Sequence, residues 1–129
     1  MVSKPLFLLD SNICIYLLEA LSISARIRVE SLYPGEVVTS AIAYAEVMRG
    51  VDQSDSKAVA DSEALFAAIP VLPFDTSAAE AYHRLPFKRG SFDRLIAAHA
   101  LALDLTLVTN NEDDFKGVAS LRIENWIRP

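Results

Sequence analysis

The 129-residue sequence has little glycine, proline and cysteine. Four glycines and six prolines are too few for a low-complexity chain, and hydrophobic residues make up 52% of the sequence. We therefore expect a single globular domain over residues 1–129 that buries a substantial core. The single cysteine, Cys14, cannot form an internal disulfide. It fits a reducing compartment, so we expect a cytoplasmic protein in which this thiol is buried.

Long apolar runs and an excess of positive charge are also missing. The apolar stretches are too short to span a bilayer, and the first five residues lack the features of a signal peptide, so we expect no association with a membrane. The net charge of -5 argues against a protein that holds nucleic acid by bulk positive charge. It does not exclude a nucleic-acid enzyme, because a bound metal ion would reverse the local field.

Strand-like and helix-like segments alternate along the chain. The predicted strands cover residues 6–9, 36–39, 71–74, 105–108 and 121–123. The predicted helical segments cover residues 12–20, 22–32, 41–49, 56–68, 76–84, 92–103 and 112–115. This alternation predicts an α/β fold with a parallel sheet of about five strands and helices on both faces.

Four acidic residues stand at predicted strand ends or near helix starts: Asp10, Glu46, Asp93 and Asp114. Each has an ordinary explanation if taken alone, since Asp10 can cap a helix and Asp93 favours the positive end of a helix dipole. Together they would meet where open parallel sheets bind ligands. Two carboxylates about 4 Å apart repel by roughly 4 kcal/mol, so such a site holds protons or a cation. Oxygen ligands without histidine or cysteine favour Mg²⁺, with Mn²⁺ as a substitute.

Four segments, in this order, resemble the motifs of the PIN domain, and most closely those of the VapC toxins of bacterial type II toxin–antitoxin systems. They are residues 8–12, residues 39–42 with Glu46, residues 92–101, and residues 107–111 with Asp114 and Phe115. Residues 121–126 also resemble the last strand of these proteins. The likeness covers essentially the whole chain, and it implies a PIN-like three-layer α/β/α domain.

The resemblance also implies roles for particular residues. Asp10, Glu46 and Asp93 become the acids of the metal site and of catalysis. Many PIN domains have an aspartate where this chain has Asn111, so we expect Asp114 to complete the site with Asn111 assisting. The residues expected to support the acids are Ser11, Asn12, Thr109 and Asn111.

The activity implied by the resemblance is that of an Mg²⁺-dependent endoribonuclease toxin. Such an enzyme would cleave structured RNA, such as tRNA or rRNA, through a metal-activated water, leaving 5′-phosphate and 3′-hydroxyl ends. Lys88, Arg89 and Arg94 are candidates for contacts with RNA phosphates. The expected partners are a VapB-like antitoxin and a second copy of the chain in a homodimer.

Two other functions fit parts of the sequence. Asn111 in place of an aspartate fits a catalytically weakened domain that only binds RNA or protein. Asp10 after the first strand fits a phospho-acceptor, although Asn12 stands where a haloacid-dehalogenase-like protein needs a second aspartate. We expect His99, six residues past Asp93, to be a packing residue rather than a ligand. We assign no role to His83.

Overall fold

Five short parallel strands form a single sheet in the computed structural model, which describes residues 3–87 and 91–127. The strands are β1 (Phe7–Leu9), β2 (Val37–Ser40), β3 (Val71–Leu72), β4 (Thr106–Val108) and β5 (Ile123–Glu124). Their order across the sheet is β3-β2-β1-β4-β5, and every pair is parallel. The predicted α/β class is confirmed.

The helices of the described chain begin at polar capping residues. They are α1 (Ser11–Leu18), α2 (Ile23–Glu30), α3 (Ala41–Arg49), α4 (Ser56–Ala68), α5 (Thr76–His83) and α6 (Phe92–Ala102), and a 3₁₀ turn covers Glu112–Phe115. The side chains that accept a backbone N–H at a helix start are those of Asp10, Ser22, Ser40, Asp55 and Asp75. The bounds of α3, α4 and the 3₁₀ turn agree with those predicted from the sequence.

The prediction of the last strand at residues 121–123 is wrong in its bounds, because β5 begins only at Ile123. Ser120 has a positive φ of 69°, which turns the chain just before this segment. The carbonyl of Arg122 already accepts the N–H of Leu107 at 2.9 Å. Regular pairing of β4 with β5 then starts at Leu107 and Ile123.

Two hydrophobic clusters lie on opposite faces of the sheet, because successive strand side chains point in opposite directions. Leu8 belongs to the cluster that includes Ile96 of α6. Its neighbour Leu9 belongs to the cluster that includes Ile13 of α1. This arrangement gives the three layers expected from the sequence. No helix in the described part of the chain is long and apolar enough to span a membrane.

Leu8 provides a test of the central packing, since it is fully buried on the middle strand. We expect Leu8→Ala to lower the free energy of unfolding by about 3 kcal/mol, because it leaves a cavity between β1 and α6. Leu6→Ala is the matched control, because Leu6 precedes the same strand and is 46% exposed. Urea unfolding of the two variants measures both values. Equal losses would contradict the packing described above.

Candidate active site

The order of the strands reverses between β1 and β4, which is where open α/β sheets form a ligand-binding crevice. Leu9 of β1 is in register with Val108 of β4. The next residues, Asp10 and Thr109, therefore meet at the carboxyl ends of the two strands. The N–H of Asp10 donates to the carbonyl of Val108 at 3.1 Å, which fixes the aspartate at this point.

Asp10 is both a helix cap and a buried acid. Its carboxylate accepts the N–H of Ile13 at 3.0 Å at the start of α1, and the residue is only 3% exposed. The pKa of Asp10 is raised from 3.8 to about 6, mainly by burial and to a smaller extent by the charges of Asp93 and Glu46. Hydrogen bonds from Thr109 and Ile13 oppose this effect. The ionised form of the Asp10 carboxylate is therefore destabilised unless a cation lies nearby.

Glu46 lies in the second turn of α3 and is half-buried. Its Oε1 is buried and has no hydrogen-bond partner among the described residues. Burial raises the pKa of Glu46, and a hydrogen bond from the side chain of Ser11 lowers it. Ser11 thus contacts the carboxyl of Glu46, whereas Asn12 is an exposed residue in the same first turn of α1.

Asp93 lies in the first turn of α6, where the helix dipole favours a negative charge. Its charge contributes to the raised pKa of Asp10, as does that of Glu46. Three of the predicted acids, brought from three different elements, are thus close enough to interact electrostatically.

The fourth predicted acid is joined to the others through hydrogen bonds. The side chain of Thr109 bonds to Asp10, and its Oγ1 accepts the N–H of Asn111 at 3.0 Å. The amide of Asn111 in turn donates to the carboxylate of Asp114. Asn111 and Asp114 are therefore hydrogen-bonded to each other. The chain of contacts runs from Asp10 through Thr109 to this pair.

The donor set fits a hard divalent cation. Asp10 is buried with a raised pKa, and Glu46 has a buried oxygen without a partner, so both would gain from a positive charge. Within residues 3–87 and 91–127, no three histidine, cysteine or acidic side chains lie close enough to hold an ion together. Mg²⁺ suits this arrangement, because it is usually held by one or two carboxylates and keeps several waters.

Of the three residues predicted to contact phosphate, only Arg94 lies within the described residues. Lys88 and Arg89 lie outside the described residues. Arg94 is half-buried on α6, and its Nε and Nη1 are buried without a hydrogen-bond partner in the described chain. Its Nη2 lies against Gly117, where a Cβ atom would approach to 3.3 Å. Arg94 is thus packed beside the 3₁₀ turn that carries Asp114.

Several other polar residues lie buried near the acids. Asn110 has a buried Oδ1 without a partner among the described residues. Thr39 and Ser40 are fully buried at the end of β2, and His99 is buried on α6. His99 packs edge-on against Phe74 with ring centroids 5.5 Å apart, which confirms its predicted packing role.

The fold and this acidic edge define an α/β protein of the PIN class, and the PIN domain model matches residues 7–121. The tRNA(fMet)-specific endonuclease VapC of Shigella flexneri is 34% identical, over 93% of this chain and 97% of that protein. Ribonuclease VapC2 of Rickettsia felis is 31% identical, over 94% of this chain and 98% of that protein.

Solved structures give the same result. A chain of VapBC2 from Rickettsia felis, bound to a DNA fragment from its promoter, has a TM-score of 0.83 and 28% identity, covering 94% of this chain and 98% of that chain. A chain of DNA-bound VapBC from Salmonella typhimurium has a TM-score of 0.85 and 27% identity, covering 95% and 99%. The chain therefore belongs to the PIN domain family and, within it, to the VapC ribonuclease toxins of VapBC modules. The resemblance noted in the sequence is confirmed.

Because the pKa of Asp10 is raised, we expect the metal-free protein to lose stability as the pH rises. The folded protein holds the Asp10 proton more tightly than the unfolded chain does. Protonation of Asp10 therefore stabilises the fold fully below pH 3.8, and this stabilisation is lost as the pH rises through about 6. Asp10→Asn keeps the helix cap but removes the charge. In EDTA, we expect Asp10→Asn to be more stable than the wild type at pH 7.5, by at most roughly 3 kcal/mol.

Urea unfolding of both proteins at pH 4 and pH 7.5 tests this expectation. The stability difference should be much smaller at pH 4, where the folded protein keeps the Asp10 proton and the unfolded chain has lost only part of it. A difference that is the same at both pH values would mean that the Asp10 carboxyl is not destabilised by burial.

Proposed function

We propose that this VapC protein is an Mg²⁺-dependent endoribonuclease that hydrolyses structured RNA. The observation that supports this most strongly is the burial of Asp10 between two further charged acids, at the crevice of a parallel sheet. A carboxylate in that position needs a proton or a cation to balance it. At neutral pH a divalent cation is the balancing charge that also makes phosphodiester chemistry possible.

Asp10 and Asp93 would be the direct ligands of the ion, with Glu46 and Asp114 completing the site. When bound, Mg²⁺ supplies an acidified water and positive charge beside the scissile phosphate, and Mn²⁺ can replace it. Thr109 and the backbone N–H of Ile13 hold the carboxylate of Asp10 in place. Asn111 holds Asp114 through its side-chain amide.

Glu46 is the residue we assign as the general base. Burial raises its pKa above the ordinary value, which makes the carboxylate a stronger base, and its buried Oε1 has no hydrogen-bond partner among the described residues. Ser11 holds the same carboxyl by a side-chain hydrogen bond. Attack of the deprotonated water in line with the leaving 3′-oxygen would give 5′-phosphate and 3′-hydroxyl products.

The proposed substrate is a tRNA or rRNA. The Shigella flexneri relative is named as specific for tRNA(fMet), which supports this class of substrate for the present chain. Arg94 is proposed to bind a phosphate, because its buried Nε and Nη1 have no hydrogen-bond partner among the described residues and would gain from an anion. Lys88 and Arg89 would add to this contact in the same segment of the sequence.

A VapB-like antitoxin is the proposed protein partner, and the solved relatives from Rickettsia felis and Salmonella typhimurium are VapBC proteins. An arginine of such an antitoxin would compete with the cation for the carboxylates, because guanidinium groups bind carboxylates in a bidentate manner. We also propose that the toxin forms a homodimer.

The metal requirement predicts the effects of removing either the cation or a ligand. We expect EDTA to abolish cleavage of a tRNA substrate and Mg²⁺ or Mn²⁺ to restore it. We expect Asp93→Asn to lower kcat by at least about 100-fold while the protein remains folded, because the cation loses a charged ligand. Gel analysis of cleavage products and circular dichroism measure the two effects. Full activity in EDTA would rule out the proposed mechanism, and an inactive wild type would favour a domain that only binds.

The pairing of Asn111 with Asp114 predicts different effects at two adjacent acids. Asp113 is exposed and forms an ion pair with Lys116 at 2.9 Å, whereas Asp114 is bonded to Asn111. We expect Asp114→Asn to lower kcat/KM by about tenfold or more, and Asp113→Asn to change it by less than about twofold. Both variants carry the same chemical change. Equal activity of the two would remove Asp114 from the site.

A further inference from the structure

The buried polar residues are unevenly distributed in the described chain. Their side chains belong to Asp10, Thr39, Ser40, Ser62, His99 and Thr109. Except for Ser62, which lies on α4, they stand at the carboxyl ends of the strands or on α6. Burying polar groups costs free energy unless they are hydrogen-bonded, so their concentration beneath the acids calls for an explanation.

His99 connects α6 to the end of β2 within this group. Its Nδ1 lies 2.8 Å from the Oγ of Ser40, and both residues are buried. The Oγ of Ser40 also accepts the N–H of Ile42 at 3.1 Å, so it already serves as an acceptor. Donation of the Ser40 hydroxyl proton to Nδ1 therefore satisfies both groups, and it leaves the ring proton on Nε2.

The environment of His99 keeps the ring neutral at pH 7. Burial lowers its pKa below the ordinary value, although the charge of Asp75 acts in the opposite direction. The ring also packs edge-on against Phe74, which restricts its rotation. The hydrogen bond to Ser40 is thus made by a side chain held in one orientation.

The two partners of this bond belong to the two helices that carry acids. Ser40 ends β2 and caps α3, the helix of Glu46. His99 lies on α6, whose first turn carries Asp93. Helices α3 and α6 pack directly against each other. The neighbouring Thr39 donates to the carbonyl of Leu9 at 2.8 Å, immediately before Asp10.

We propose that His99 is a positioning residue, whose hydrogen bond to Ser40 sets the spacing of Asp93 from Glu46 and Asp10. It holds α6 in register with the start of α3, so that Asp93 stays close enough to Asp10 for a divalent cation to be held by the two carboxylates. Groups of this kind, which hold ligands rather than bind the metal, typically change metal affinity by 10–100-fold when removed. The inference rests on the proposed function, because the spacing of the acids matters only if they act together.

The test compares substitutions that differ in the hydrogen bond they retain. His99→Leu keeps an apolar side chain but loses the bond, whereas His99→Asn keeps a polar atom near the position of Nδ1. We expect His99→Leu to weaken Mn²⁺ binding to the RNA-free protein by about tenfold, and His99→Asn to weaken it by less than about threefold. Isothermal titration gives the affinities, and kcat/KM for a tRNA substrate should follow the same order.

Ser62→Ala is the control for the general loss of a buried hydrogen bond. Ser62 is buried and donates to the carbonyl of Val59 at 2.7 Å on α4, away from the acids. We expect it to lower the melting temperature without changing Mn²⁺ affinity. A combined Ser40→Ala and His99→Leu variant should lose little more metal affinity than the weaker-binding single variant, because both changes remove the same bond.

A second measurement does not depend on metal or RNA. In the metal-free protein, the backbone amide signals of Asp93 and Glu46 in ¹H–¹⁵N spectra should move in His99→Leu but stay near their wild-type positions in His99→Asn. If the wild type neither binds Mn²⁺ nor cleaves RNA, the proposed function fails while these signals still test the positioning role.

A folded His99→Leu variant with wild-type Mn²⁺ affinity and unmoved amide signals would overturn the inference. If His99→Leu does not fold, His99→Asn is compared with His99→Gln, whose polar atom lies near the position of Nε2 instead. The inference expects Asn to retain Mn²⁺ affinity and Gln to lose it. Equal affinities in these two variants would overturn it as well.

Discussion

The burial of the Asp10 carboxylate between β1 and β4 is the constraint on which the site depends. The register of Leu9 with Val108 places this residue beside Thr109, and its own backbone and side chain bond to β4 and to α1. The same residue therefore starts a helix, joins two central strands and faces two other acids. Because it cannot move without disturbing the sheet, the other acids must be brought to it.

The other acids reach Asp10 from helices, and helices can shift. Asp93 and Glu46 lie on α6 and α3, whose positions depend on packing against the sheet. Apolar packing alone tolerates small displacements, whereas hydrogen bonds between buried groups are directional. The buried polar side chains beneath the acids thus serve a purpose that an apolar core would not, since they fix orientation as well as distance.

The sequence predicted the elements that have local signals. Ser40 before α3 and Asp55 before α4 are strong caps, and those helices begin where the sequence indicated. The start of β5 was misplaced, because the left-handed backbone at Ser120 is not marked by a glycine. The acids were predicted because they too have a local signal, since each stands at a strand end or near a helix start.

The relations between distant residues were beyond sequence reasoning. Ser40 and His99 are 59 positions apart, and nothing local to either residue indicates the other. The sequence led us to expect Asp114 to complete the site with Asn111 assisting, without indicating how the two side chains are related. The structure shows that the two are bonded to each other, so the amide of one orients the carboxylate of the other. Sequence reasoning does not identify such a pair, because the two side chains meet only through the turn that the chain forms after β4.

The acidity of this protein also constrains the order of events at its site. The chain has a net charge of -5, and an acidic crevice without a cation repels the phosphates of RNA. Under the proposed function, a cation would therefore have to bind before the scissile phosphate or together with it. Because the pKa of Asp10 is about 6, the cation also competes with a proton in slightly acidic solution, so that binding releases that proton. Metal affinity should then fall as the pH drops below about 6, even though the fold itself is favoured there.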